Sequence, residues 1–116
     1  GTHMLAVDEV TFQAVTVLGH GQHVGAEHAV SVCGMDKSEN TKRFERNVAY
    51  ARERARDALL ETVTEAEAGA ALAEVESEAR VKVDAVISEK GCDDIEVWKL
   101  SRRFDLLARQ NPPIAD

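Results

Sequence analysis

Residues 9–21 read Glu9-Val10-Thr11-Phe12-Gln13-Ala14-Val15-Thr16-Val17-Leu18-Gly19-His20-Gly21, and the secondary structure assigned to this stretch decides the fold class. Val10, Phe12, Ala14 and Leu18 alternate with Thr11, Gln13, Val15 and Val17, a period of two with β-branched enrichment, which is the pattern of a strand. Gly19-His20-Gly21 supplies the flexible positions that a reversal of direction needs. Val24 and the run His28-Ala29-Val30-Ser31-Val32-Cys33 then alternate a second time, with Gly25 as a bulge and Gly34 closing the unit. The expectation is a β-hairpin over residues 9–33. Such a hairpin is marginal alone in water, so it requires a helix or another subunit against it.

Downstream the period changes to that of a helix. Asp36 and Glu39 match a capping box, and Phe44, Val48, Ala51, Ala55, Leu59 and Val63 follow at steps of three and four, one continuous helical stripe. Thr64 with Glu67 is a second capping-box pattern, at which the chain either turns or runs straight through. Ala68, Leu72, Val75, Ala79, Val83 and Val86 form the next stripe, and Lys90-Gly91 reads as its C-terminal cation and cap. Asp93 with Glu96 opens a third helix with Val97, Leu100, Phe104 and Leu107 inward, ended by Pro112-Pro113. The predicted fold is therefore α+β and mostly helical. An N-terminal β-hairpin (9–33) is followed by two long antiparallel helices (about 37–63 and 65–90) and a shorter C-terminal helix (94–109). Gly1-Thr2-His3 ahead of Met4 reads as a cloning remnant, and residues 4–116 as a single domain.

Composition sets further bounds. The chain has 116 residues, a formal charge of −7 and 44% hydrophobic residues, of which only five are aromatic: Phe12, Phe44, Tyr50, Trp98 and Phe104. A core built mainly of Ala and Val has few large anchors, so each helix has to bury a long face. Two helices of roughly 37–40 Å exceed the width of a compact domain of this size, which predicts a homodimer. No apolar run approaches the ~20 residues of a membrane span, and no signal peptide follows Met4, so a cytoplasmic location without membrane contact is expected. Cys33 and Cys92 lie far apart with no CxxC motif, which reads as two free, buried thiols in a reducing compartment.

The first half also resembles small phage-encoded proteins of unknown function, in which a strand ending in Leu-Gly leads to a hairpin and then a charged helix. The matching features are Val10 to Gly19, Glu27 to Val32, and the helix opening at Glu39-Asn40. The likeness covers about 60 residues and brings no catalytic motif with it. It implies a phage origin and a role in modulating a host protein.

Candidate chemistry is sparse. His20, His23 and His28 could converge on a zinc or nickel ion, but a glycine-rich turn enforces no geometry on them, and solvated loop histidines are expected instead. Neither cysteine has the setting of a nucleophile, since Asp93 and Asp94 beside Cys92 disfavour a thiolate. There is no Gly-x-Ser-x-Gly, P-loop or dinucleotide-binding glycine pattern. No catalytic activity, cofactor or metal is expected.

Charge is unevenly spread. Six bases between Lys42 and Arg56 precede seven acids, with no base, between Asp57 and Ala79. Trp98 falls off the inward stripe of its helix, so it either fills the core or meets a partner beside Arg102 and Arg103, residue types enriched at interface hot spots. The candidate interface is Trp98, Arg102, Arg103, Arg43 and Arg46. The function expected is non-enzymatic binding of another protein. The alternative is association with nucleic acid, either through the arginines that follow residue 42 or by the acidic helix mimicking DNA.

Overall fold

The computed structural model describes the backbone of residues 2–111 and the side chains of residues 13–111. Residues 9–33 do not form a hairpin. All but Cys33 belong to a single helix, α1 (Thr2–Val32), followed by α2 (Thr41–Leu60), α3 (Glu65–Lys90) and α4 (Ile95–Arg109), and there is no strand among the described residues. The fold is all-helical, which corrects the α+β expectation.

The inward residues of α1 explain the difference. Gln13, Val17, His20 and Val24 recur at steps of 4, 3 and 4, and Ala26, Ala29 and Val30 extend burial around the helix. The same sequence thus carries two periods, and the helical one wins because it places small residues against three neighbours at once. Strand propensity is a preference for a half-buried pleated surface, and packing overrides it. The glycines taken for a turn lie inside the helix. A Cβ on Gly21 would sit 3.2 Å from Val75 Cγ1 of α3, closer than packed atoms ordinarily approach, so glycine here sets how near α3 can come. The glycine that does end α1 is Gly34, at φ 62°, where Met35 N–H donates back to Val30 O at 3.0 Å.

α1 is the hub of the bundle. It packs against each of the other three helices, whereas α3 and α4 barely touch each other. His20 pairs with Glu76 and His28 with Asp84, so α1 and α3 run side by side in the same direction. α2 runs back along both, with Gln13 Nε2 donating to Ala58 O at 2.7 Å. The core at the α4 end is Ala26, Val30, Phe44, Phe104 and Ala108. Phe44 and Phe104 stack there with ring centroids 3.9 Å apart and planes 14° from parallel. The molecule measures 49 × 32 × 26 Å with a radius of gyration of 15.5 Å, more elongated than the ~13 Å expected of a compact chain of this length.

The stripes of α2, α3 and α4 face inward as expected, and the chain turns at residues 61–64. There Thr64 Oγ1 accepts from Glu67 N–H while Glu67 Oε1 accepts from Thr64 N–H, a complete capping box. Asp36 and Glu39 do not cap α2. Asp36 Oδ1 accepts from Ser38 N–H at 3.1 Å instead, and α2 begins after Asn40, four residues later than predicted. Asp94 rather than Asp93 caps α4, accepting from Glu96 N–H at 2.9 Å. Pro112-Pro113 lies outside the described residues.

The cysteines are not free thiols. Cys33, just past α1, is disulfide-bonded to Cys92 between α3 and α4, with Cα atoms 5.8 Å apart. Both chain ends of the α3–α4 junction are thereby held to the end of α1. In the chain-entropy account, cross-linking residues 59 apart removes about 4 kcal/mol of unfolded-state freedom, with measured values centred on about 2–4 kcal/mol. Reduction, or the Cys33→Ser/Cys92→Ser double variant, is expected to lower unfolding free energy by about 2–4 kcal/mol, read from urea titrations with and without dithiothreitol.

Candidate docking surface and the buried histidine network

α4 has two faces because its sequence carries apolar residues on both sides of one cylinder. Val97, Ser101, Phe104 and Ala108 are buried against α1 and α2. On the outer side Ile95 is 62% exposed, Trp98 57% and Leu106 51%. Trp98 therefore does not fill the core. Arg102, one turn on, lies over its indole with the guanidinium carbon 5.7 Å from the ring centroid, a cation–π contact worth about 0.5–1 kcal/mol at an exposed site. Arg103 turns to the adjoining flank, where it lines a groove between α1, α3 and α4.

The other two candidate interface residues sit elsewhere. Arg43 and Arg46 are exposed on α2, and Arg46 Nε donates to Asn47 Oδ1 at 3.3 Å. Asn47 is buried and its amide donates to Leu107 O at 2.7 Å and Gln110 O at 2.9 Å, satisfying carbonyls that the C-terminus of α4 leaves open. Arg46 thus belongs to the far end of α4 from Trp98. The five residues expected to form one interface split into three groups: Trp98 with Arg102, Arg103 on the adjoining flank of α4, and Arg43 with Arg46 on α2.

The three histidines are neither loop residues nor convergent. All lie on α1, and no group of three or more His, Cys, Asp or Glu among the described residues is placed to hold a metal ion. His20 is 1% exposed, among the largest fully buried side chains, and its Nε2 is 2.7 Å from Glu76 Oε2 of α3. Arg52 Nε of α2 donates to that same oxygen at 3.0 Å. His20 Nδ1 is buried without a hydrogen-bond partner. Burial alone pushes the Glu76 carboxyl up, but the hydrogen bonds and charges of His20 and Arg52 outweigh it and hold the group below its ordinary value. His23 is half-buried, with Nδ1 2.8 Å from Gly19 O and its ring 6.0 Å from that of Phe44. Desolvation, more than the opposing bond to Gly19, lowers its pKa, and the neighbouring His20 adds to the effect.

This network joins three helices through one carboxylate, and the sequence had a signal for it. His20 falls on the Gln13–Val17–His20–Val24 stripe, and Glu76 stands apart from the outer face shared by Glu67, Glu74 and Glu78. Two further ion pairs link separate segments: Arg56 with Glu65, and Lys37 with Asp105 at 2.7 Å. No protein-family model, curated protein or solved structure matches this chain.

Two outcomes follow from the histidines. His20→Ala removes a core side chain and leaves Glu76 to Arg52 alone, so it is expected to destabilise by about 2–4 kcal/mol in urea unfolding. His23 has a folded pKa below its ordinary 6.5, so the folded state binds fewer protons than the unfolded one. Its contribution is fully present above pH 6.5 and lost as pH falls below it. The urea midpoint is expected to decline from about pH 6.5 downward, and His23→Phe to flatten that part of the curve.

Proposed function

We propose that the chain is a non-enzymatic protein-binding module that presents the outer face of α4. The observation that carries this reading is Trp98, the chain's single tryptophan, standing 57% exposed under Arg102 and flanked by Ile95. Tryptophan and arginine are among the residue types that dominate binding energy at protein interfaces, and the contact with Arg102 biases the indole toward one pose before any partner arrives, which lowers the entropy cost of docking. A non-enzymatic role is favoured because the buried His20–Glu76–Arg52 network holds three helices together and His20 lies almost wholly out of solvent.

The nucleic-acid alternative has less to stand on. Arg52 and Arg56 are engaged by Glu76 and Glu65 and Arg54 lies over Tyr50, which leaves Lys42, Arg43 and Arg46 as the outward cations of that run, few phosphate contacts for a protein of charge −7. Self-association also keeps a smaller basis than the helix lengths suggested, because α1 covers the stripes of α2 and α3 within one chain. No described helix is long and apolar enough to cross a membrane. For the compartment, we infer an oxidising environment rather than the cytoplasm, on the ground that Cys33–Cys92 is bonded.

Trp98→Ala and Arg102→Ala are each expected to weaken capture of a co-purified partner by about tenfold or more, while the urea midpoint stays within error because both side chains are exposed. A benzophenone side chain placed at position 98 is expected to cross-link that partner in the native host. Unchanged capture in both variants overturns the reading, and retention on random duplex DNA with a steep salt dependence would favour the alternative.

A further inference from the structure

A separate feature lies on the flank of α4 away from Trp98. α3 and α4 scarcely touch, and the space between them over α1 is a groove of about 320 Å³. A second hollow of about 220 Å³ shares Lys82, Val83 and Leu100 with it, so the cleft continues along α3 toward Val86. Its floor and walls are apolar: Gly21 and Gly25 of α1, Val75 and Val83 of α3, and Leu100 of α4. A Cβ at Gly21 or Gly25 would meet Val75 or Val83 of α3, so α1 adds no side chain to the floor at these two positions.

The rim carries the distinguishing charge. Lys82 projects from α3 and Arg103 from α4, on opposite sides of the opening. Neither side chain takes part in an ion pair or hydrogen bond among the described residues, so both are available to a ligand in the groove. Glu78 also lines the groove, one helical turn from Lys82, and leaves a surplus of one positive charge there on a molecule of net charge −7. An apolar trough with two unengaged cations at its mouth is complementary to a molecule with one anionic head and one apolar tail. The volume lies near the lower end of the ~300–1,000 Å³ typical of small-ligand sites, enough for one chain and too small for a two-chain lipid. Arg103 and Lys82 supply charge-assisted donors of the kind that recognise a carboxylate.

We propose that this groove binds a single-chain carboxylate amphiphile, with its head between Lys82 and Arg103 and its chain over Gly21, Val75 and Leu100. The site is independent of the protein-binding face around Trp98.

Titration calorimetry with monomeric dodecanoate, dodecanol and dodecyltrimethylammonium, on the oxidised full chain, tests it. Dodecanoate is expected to bind one to one and about tenfold more tightly than either other chain. The Lys82→Gln/Arg103→Gln double variant is expected to bring dodecanoate to within about threefold of dodecanol while leaving dodecanol binding as it was. Circular dichroism verifies that the variant is folded, and Ala79→Leu, which narrows the groove without altering its charge, is expected to weaken all three ligands together. Equal affinity for the three ligands, several molecules bound per chain, no binding of dodecanoate, or an undiminished preference in the double variant overturns the proposal. So does association confined to phosphatidylglycerol vesicles.

Discussion

How closely α3 can approach α1 is set at Gly21, where any side chain would meet Val75, and much of the molecule follows from that approach. Because α1 is lined with glycine and alanine at its contacts, three helices can pack around it instead of two. The parallel pairing of α1 with α3 then brings His20 opposite Glu76 and His28 opposite Asp84, with the same spacing of eight residues on both helices. It also fills the side of α1 that α4 would otherwise share, so α4 is displaced toward α2 and the Phe44–Phe104 stack. The open groove between α3 and α4 is what remains. Gly in a helix interior is unfavourable by about 1 kcal/mol relative to Ala, and α1 carries Gly19, Gly21 and Gly25 in succession. That cost is offset by dispersion between backbones and small side chains at close range.

The three later helices were legible because their signals are local and agree with each other. Ala68, Leu72, Val75, Ala79 and Val83 keep a helical period with no competing one, and Thr64–Glu67 marks the start of α3 to the residue. In α1 the signals conflict. Val15, Thr16 and Val17 are β-branched and alternate with their neighbours, while the helical stripe beneath them includes a histidine and several glycines, residues that hydrophobic pattern-reading passes over. Only α3, distant in sequence, reveals that His20 is an inward residue and that Gly21 is a packing position rather than a turn. The cysteines failed for a related reason. Their separation of 59 residues says nothing about proximity until the end of α1 is known to meet the α3–α4 junction.

Of the candidate interface residues, Trp98 falls off the inward stripe of its helix, and the sequence left core packing and an outward position both open. Only the packing of α4 against α1 and α2 shows the indole exposed. Arg43 and Arg46 were grouped with it by residue type alone, and type carries no information about which end of a neighbouring helix they reach. The charge pattern was similarly half-visible. A run of bases followed by a run of acids is visible in the sequence, but α2 and α3 fold back on each other, so Arg52 and Arg56 pair with Glu76 and Glu65. Lys82 and Arg103 share with Lys42, Arg43, Arg80 and Lys90 the lack of an ion pair among the described residues; what sets the two apart is the apolar groove between them.

The bond between Cys33 and Cys92 also fixes how the molecule transmits force. Tension applied between the N-terminal end of α1 and the end of α4 travels down α1, across the sulfur bridge and along α4. The whole of α2 and α3 lies in the covalent loop that the bridge closes, off the load-bearing line. Pulling the ends apart can peel α4 from the Phe44–Phe104 stack, but it cannot extend residues 34–91 until the disulfide itself is cut. A single backbone nick in the turn at residues 61–64 likewise leaves one covalently continuous molecule. The bundle is therefore mechanically a short two-helix tether with a protected two-helix insert.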